Sequence, residues 1–377
     1  LATTWNPNAD GTVNSLLVNG TTLHAAGLFK NIGGQARNYL AGVDLTSGLA
    51  TSWTPNATAE AKCLAYTSGG IGVGGLFTSV GGVERNNIAA IDAHSGQATD
   101  WNPNANNQVA TLVLESSQIY VGGNFTNIGG AARNRIASIA LDTGLADTWN
   151  PNANNNVECI VPDGSLIYVG GNFTQINGIN RSRVACIDAS TAVPTAWNAT
   201  GTSNNIVRTL ALSDTSVYAG GTFTTIGGQA TNYLAELDKT TGVPTAWNPG
   251  ANNSISALVV DGDTLYAGGQ FPGFGVTARP YLATFDLTTG ALTDWNLGPS
   301  GFVYSLQILN SNLYAAGNFT SIGGETHGRA AIYDTQSQLM SNWDPDLDAQ
   351  ANTISASDAR VVVGGNFTHG TIPASYL

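Results

Sequence analysis

Between Trp101 and Trp149 the chain reads WNPNANNQVATLVLESSQIYVGGNFTNIGGAARNRIASIALDTGLADTW. After Trp101, Asn102-Pro103-Asn104-Ala105 combines Pro and Asn, both turn formers. An alternating run from Val109 to Leu114 follows, then Ser116-Ser117 as a turn. A second strand from Ile119 to Thr126 leads into Ile128-Gly129-Gly130, and a third covers about Arg135 to Leu141. A Thr143-Gly144 turn and a short fourth strand end on Trp149. Four short strands rich in β-branched and aromatic residues predict one antiparallel sheet. No window carries a 3.6-residue apolar period long enough for a helix, so the chain reads as all-β.

The same pattern fills the chain. Trp5, Trp53, Trp101, Trp149, Trp197, Trp247, Trp295 and Trp343 are its only tryptophans, spaced 48, 48, 48, 48, 50, 48 and 48 residues apart. A period in the forties marks stacked supersecondary units, none able to bury its apolar face alone. Gly pairs such as Gly122-Gly123 recur in the second strand, where they permit close backbone approach or a bulge. Phe29, Phe77, Phe125, Phe173, Phe223, Phe271, Phe319 and Phe367 follow them as sheet-packing residues. Such sheets pack face to face around an axis, a β-propeller with one parcel per blade. The eight repeats predict eight blades of four antiparallel strands, with seven blades as the alternative. The expected organisation is one domain over 1–377, divided at about 5–52, 53–100, 101–148, 149–196, 197–246, 247–294, 295–342, and 343–377 with 1–4. Leu1 to Trp5 match the last strand of a unit and Tyr376-Leu377 match its third strand, so the N-terminal strand is expected to complete the eighth blade. A chain that begins inside a repeat also predicts a processed or trimmed N-terminus.

Two resemblances follow from these residues. The hairpin A-x-x-D-x-x-x-G-x-x-x-x-W, as in Ala41 to Trp53 with Asp44, resembles the tryptophan-docking motif of the eight-bladed quinoprotein dehydrogenases and their non-catalytic outer-membrane-assembly relatives. That resemblance implies a Trp wedged between adjacent blades. The Asp-to-Trp distance here is one residue longer, and the adjacent Cys-Cys pair of the dehydrogenases is missing, so no quinone cofactor is carried over. The longer string Y-V-G-G-N-F-T-x-I-G-G-x-x-R-N-x-I-A-x-I-D, followed by W-N-P-N-A, is similar to the delta-60-type propeller repeats of large secreted bacterial surface proteins. It is more distantly similar to fungal cell-surface polarity-marker ectodomains and to kelch units. This likeness spans essentially the whole chain. It implies an extracellular or cell-surface adhesion or scaffold module with no general catalytic residue set.

Composition narrows the partners. The chain is 42% hydrophobic but only 10% charged, so Asn, Thr, Ser and Gly must make its surface polar. A formal charge of −12 argues against a nucleic-acid binder, which needs clustered Lys and Arg. No apolar run has the length of a spanning helix, and no membrane insertion is expected. Cys63, Cys159 and Cys186 do not make a disulfide framework, and Cys63 and Cys159, at the same repeat position, read as small buried hydrophobes. Nine Asn-X-Ser/Thr sequons make the chain a glycoprotein candidate, although four lie inside the recurring G-N-F-T element.

Candidate sites fall on the predicted loop face, where the N-P-N-A turns and I-G-G-x-x-R-N loops meet. Arg37, Arg85, Arg133, Arg181 and Arg279 recur there, joined by His327. One reading is a ring of guanidinium donors for carboxylates or glycans; the other is an inter-blade hydrogen bond or stack, repeated because the blade is. Departures from the repeat are the better functional clue. Asp344-Pro345-Asp346-Leu347-Asp348 replaces Asn-Pro-Asn, and its three alternate carboxylates could wrap Ca²⁺. A solvated acidic turn is the competing reading, and no other cofactor is expected. Phe274, in a sixth unit whose loop departs from T-x-I-G-G, either stands exposed as a contact residue or repacks the blade. His24 occupies a strand position that carries Tyr120 in the third unit, and no Ser/His/Asp or Cys/His set shares a face. The leading expectation is a non-enzymatic extracellular propeller that binds protein or glycan or serves as a scaffold. The alternatives are a carbohydrate-active hydrolase or lyase at the central channel and a self-associating subunit of an extracellular filament.

Overall fold

The computed structural model describes residues 7–67, 70–199, 203–357 and 360–366. In parcel three, Val109–Glu115 pairs antiparallel with Gln118–Gly123, which pairs in turn with Ile136–Ala140. The alternation of apolar residues sets this register, because a one-residue slip would turn every buried side chain outward. The same three strands recur in the other parcels through Leu339–Met340, and two of them, Ala351–Ser357 and Arg360–Gly365, are described in the last. Among the described residues there is no helix.

The expected fourth strand is shorter than the sequence pattern suggests. In most parcels it is a single bridge, such as Ile139 to Ala146, and among the described residues only Leu339–Met340 makes a four-stranded sheet. The reason lies in competing partners. Asp147 Oδ1 accepts the Trp149 N–H at 2.8 Å, and Arg133 Nη2 donates to the Asp147 carbonyl. Side chains thereby take backbone groups that a longer ladder would use. The I-G-G loop also holds more structure than expected, since Asn127–Ile128 and Ala131–Ala132 form a small hairpin around Gly129 and Gly130 at φ 62° and 74°.

The Gly pair works in both predicted ways. A Cβ on Gly123 would meet the Gln108 carbonyl oxygen at 2.2 Å, and one on Gly122 would meet Val157 of the next sheet at 3.0 Å. The partner strand bulges opposite them, with the register shifting between Val109 and Thr111.

Consecutive sheets stack through their first strands. Val13–Asn19 touches Ala61–Thr67, which touches Val109–Glu115, and this continues to Val303–Leu309 and Ala351–Ser357. Ala351–Ser357 and Arg360–Gly365 in turn touch Val13–Asn19, and Thr12 Oγ1 donates to Asn366 Oδ1 at 2.7 Å. The core is a series of seams rather than one centre. One seam joins Ile88, Ala90 and the incoming Trp101 of sheet two to Val109 and Phe125 of sheet three. The recurring Phe from Phe29 to Phe319 is completely buried. Leu1 to Trp5, Phe367 and Tyr376-Leu377, on which the expected closure of the eighth blade rests, lie outside the described residues.

The tryptophans are the seam fasteners. Trp53, Trp101, Trp149 and Trp197 each leave one sheet and seat on the next, where the indole N–H donates to a backbone carbonyl. Trp53 donates to Asp92 (2.8 Å), Trp101 to Ala140 (2.9 Å), Trp149 to Asp188 (3.0 Å) and Trp197 to Asp238 (2.9 Å). None of these four is more than 6% exposed. Burying a ring of this size is worth about 4–6 kcal/mol of transfer free energy before entropy is charged against it.

Candidate functional site

Each sheet has two ends of different chemistry. Pairing places the first hairpin (Glu115 opposite Gln118) at the same end as the third-strand hairpin (Gln118 opposite Ala140). The N-P-N turns and the small I-G-G hairpins occupy the other end.

At that loop end the arginines are half-buried and turned inward. Nη2 of Arg37, Arg85, Arg181 and Arg279 donates to the carbonyls of Thr51 (2.7 Å), Thr99 (2.7 Å), Thr195 (2.7 Å) and Thr293 (3.0 Å). Arg133 does the same to Asp147. Each target lies two residues before a docking Trp, so every arginine holds the fourth segment of its own sheet. The expected structural bond was one between blades, and the bond observed is within a blade. In the seventh sheet His327 replaces the Arg, and its Nδ1 lies 3.2 Å from the Trp343 carbonyl. The Asn-rich composition has a similar explanation. Asn106 Oδ1 accepts from the Thr126 and Asn127 N–H groups (2.8 and 3.0 Å), and Asn154 repeats this on Thr174 and Gln175. The N-P-N turns tie neighbouring sheets, as where Asn86 Nδ2 donates to Asn104 Oδ1 at 2.8 Å.

The acidic turn is organised by its own backbone. Asp344 Oδ1 accepts the Gly328 and Asp346 N–H groups at 2.7 and 2.9 Å. Leu347 is drawn into the core, while Asp346 and Asp348 stand at the surface. Among the described residues no three His, Cys, Asp or Glu side chains are grouped to hold a metal ion, so the structure does not bring Asp344, Asp346 and Asp348 together.

Phe274 is a correction: it is 4% exposed and does not reach the loop face. It fills the seat of Ile128 in the third unit, packing on Phe271 at 4.8 Å and Phe285 at 5.0 Å between ring centroids. Of the two sequence readings, blade repacking holds, and the fully exposed apolar residue of that loop is Val276.

The feature that sequence reasoning missed lies at the hairpin end. The residue before the third-strand hairpin, on which the incoming Trp rests, is Ile91, Ile139, Ile187 or Leu237 in sheets two to five, but Phe285 in sheet six and Tyr333 in sheet seven. Both rings stand edge-to-face against the docking indole, Trp247 to Phe285 and Trp295 to Tyr333, each at 5.1 Å. The larger seat displaces the tryptophan. Trp247 and Trp295 are half-buried, Trp247 donates to Gly290 (2.6 Å) instead of the hairpin's first carbonyl, and Trp295 makes no bond to the next sheet's backbone.

Clefts open at both loosened seats. Between sheets five and six, a cleft of about 410 Å³ is lined by Tyr218, Glu236, Thr245 and Trp247 on one side and Leu287 to Gly290 on the other. A second, of about 660 Å³, shares Tyr218, Leu287 and Thr288 with it and reaches Lys239. Between sheets six and seven a smaller one, about 200 Å³, lies beside Trp295 and Tyr333. Glu236 takes a column occupied by Gly42, Ala90, Ser138, Cys186 and Thr284 elsewhere. Its Oε1 accepts from Ser216 (2.7 Å) and Tyr218 (3.0 Å), and its Oε2 from Thr245 (2.7 Å). Lys239 Nζ pairs with Asp163 at 3.1 Å and donates to the Ser213 carbonyl at 2.9 Å.

Other titratable groups belong to the frame. Asp188 is held down to about 2 because it accepts hydrogen bonds from Ser190 and Thr191, and the hairpin aspartates Asp92, Asp238, Asp286 and Asp334 are lowered by equivalent bonds. Burial pushes the Cys63 and Cys159 thiols up to about 12, which suits packed hydrophobes rather than nucleophiles. Burial also pushes His24 down to about 4.

Known proteins agree with this architecture. Residues 162–190 match the model of DUF5122, a β-propeller domain of unknown function. No curated protein sequence matches the chain. Among solved structures it is similar to the computationally designed Ika8 protein (TM-score 0.68, 11% identity, covering 97% of this chain and 96% of that one). It is also similar to Saccharomyces cerevisiae Sqt1 (0.62, 9%, covering 98% of each chain). The WD40 β-propeller domain of Doa1 is a further likeness (0.51, 10%, 96% and 92%). The chain has a β-propeller fold built from sequence repeats.

Proposed function

We propose that the chain is an eight-bladed propeller of the delta-60-type surface repeats, acting outside the cell or on its surface as a non-enzymatic module that binds protein or glycan. Contact of Ala351–Ser357 with Val13–Asn19 supports a closed ring of eight. The inter-sheet docking of Trp53, Trp101, Trp149 and Trp197 supports the likeness to the quinoprotein-type motif.

One observation carries the binding reading. The loop polar groups are spent on the frame, as with Asn106 and Arg133, while the seams around sheet six open into polar clefts. A rigid scaffold with a few convergent polar groups in a cleft is the usual form of a binding site. The test is a printed glycan array together with sedimentation of the purified chain. Retention of a defined glycan set by a monomer is the expected result. Binding to no glycan and no surface protein, with assembly into filaments, would replace this reading by the structural one.

A further inference from the structure

We infer that the cleft between sheets five and six, built on Glu236 and the displaced Trp247, is a saccharide site that takes a neutral pyranose residue; this rests on the ligand-binding reading above. Phe285 occupies the space where Ile139 or Ile187 receives a tryptophan elsewhere, so Trp247 slides toward Gly290 and its ring lines a cleft of about 410 Å³. A pyranose has an apolar C–H face and a rim of hydroxyls. An indole wall beside fixed acceptors answers both, since the ring is apolar on its face and the polar groups set orientation.

Glu236 is the fixed acceptor. A carboxylate has about four acceptor positions, and Ser216, Tyr218 and Thr245 fill three of them here. These three donors lock its rotamer and leave one position for a ligand hydroxyl, a charge-assisted bond stronger than a neutral one. No Lys or Arg lines this cleft, so an anionic ligand would meet Glu236 without a counter-charge. A cation would need negative charge that three O–H donors already share. A neutral polyol matches what remains. The adjoining cleft of about 660 Å³ shares Tyr218, Leu287 and Thr288 with the first, and gives a second sugar unit room to continue toward Ser213 and Lys239.

The test uses the whole chain and a panel of methyl pyranosides (gluco, galacto, manno, xylo and N-acetylglucosamino), with saturation-transfer NMR for contact and titration for affinity. One pyranoside should receive saturation on its C–H face. Glu236→Gln keeps the shape but removes the charge, and should weaken that sugar about tenfold. Phe285→Ile restores the seat, lets Trp247 dock and should abolish binding, while thermal melts of both variants report that they are folded. If no pyranoside binds the wild type, or if both variants bind as the wild type does, the site is wrong. A glycan that Phe285→Ile retains on the array as well as the wild type does overturns this site but leaves the binding reading intact. A blank array together with a blank pyranoside panel overturns both.

Discussion

His24 gives the sharpest handle on the energetics of this fold. It sits at a second-strand position that carries Tyr120, Tyr168, Tyr218, Tyr266 and Tyr314 in other sheets. Its ring is completely buried, edge-on to Trp53 at 4.5 Å, and neither ring nitrogen has a hydrogen-bond partner. A charged imidazolium there would lose its hydration with nothing in exchange, so burial lowers the group from its ordinary 6.5 to about 4. The sign follows from proton counting. Between pH 6.5 and 4 the unfolded chain binds a proton that the folded chain refuses, so stability falls as pH falls through that window. The full shift corresponds to about 3 kcal/mol, of which about 2 kcal/mol is lost between pH 7.5 and pH 5. Stopping at pH 5 keeps the measurement above the range in which the hairpin aspartates protonate. The assay is urea unfolding of the wild type, His24→Tyr and His24→Phe at both pH values. The wild type should lose about 2 kcal/mol more than either variant on acidification, and the imidazole protons should titrate near pH 4 by NMR. Equal acid losses in all three proteins, or a wild type that gains stability at pH 5, would refute the argument.

Other consequences are as direct. Trp149→Ala should cost about 3–5 kcal/mol in urea unfolding, and Trp295→Ala distinctly less, because its indole is already displaced. Equal costs would contradict the seat argument. Arg133→Ala should lower stability by about 1–2 kcal/mol through the lost carbonyl bonds and leave glycan-array binding unchanged; loss of binding with stability intact would return the arginines to the ligand face. Below pH 4 a second acid limb should appear as Asp92, Asp188, Asp238, Asp286 and Asp334 protonate. Their folded values are depressed, so the stability they add above the ordinary carboxylate range is lost as pH falls through it. Calcium added to the chain should produce neither calorimetric heat nor a thermal shift, given the dispersed carboxylates of Asp344, Asp346 and Asp348; a saturating isotherm would show that the turn can close on an ion.

The architecture was legible in the sequence because it is carried by recurring columns. Trp, Phe, the Gly pair and the hairpin Asp each repeat at fixed spacing, and each proved to be a seat, a core ring, a close approach or a turn. The arginines were legible as a column but not as staples, since their charge is visible in sequence and the carbonyl 14 residues onward that receives it is not. Phe274 was misplaced for a related reason. Compared with its loop neighbours it breaks a motif, but compared down the repeat it stands where Ile32, Ile128 and Ile322 stand, all buried.

The same column-wise comparison would have found the cleft. Val43, Ile91, Ile139, Ile187, Leu237, Phe285 and Tyr333 form one column, and its two aromatic members are the two loosened seats. A search for chemistry among polar exceptions passes over Phe285, because an apolar-to-apolar change carries no reactive group. Its effect is volumetric, since a close-packed seam cannot absorb a larger ring without moving what rests on it. In a repeat scaffold a site can therefore be opened by a hydrophobic exception and furnished by a polar one in the next column over, as Phe285 and Glu236 do here. Phe285→Ile and Glu236→Gln separate those contributions: the first should close the cleft with Glu236 still in place, and the second should leave the cleft open without its charge.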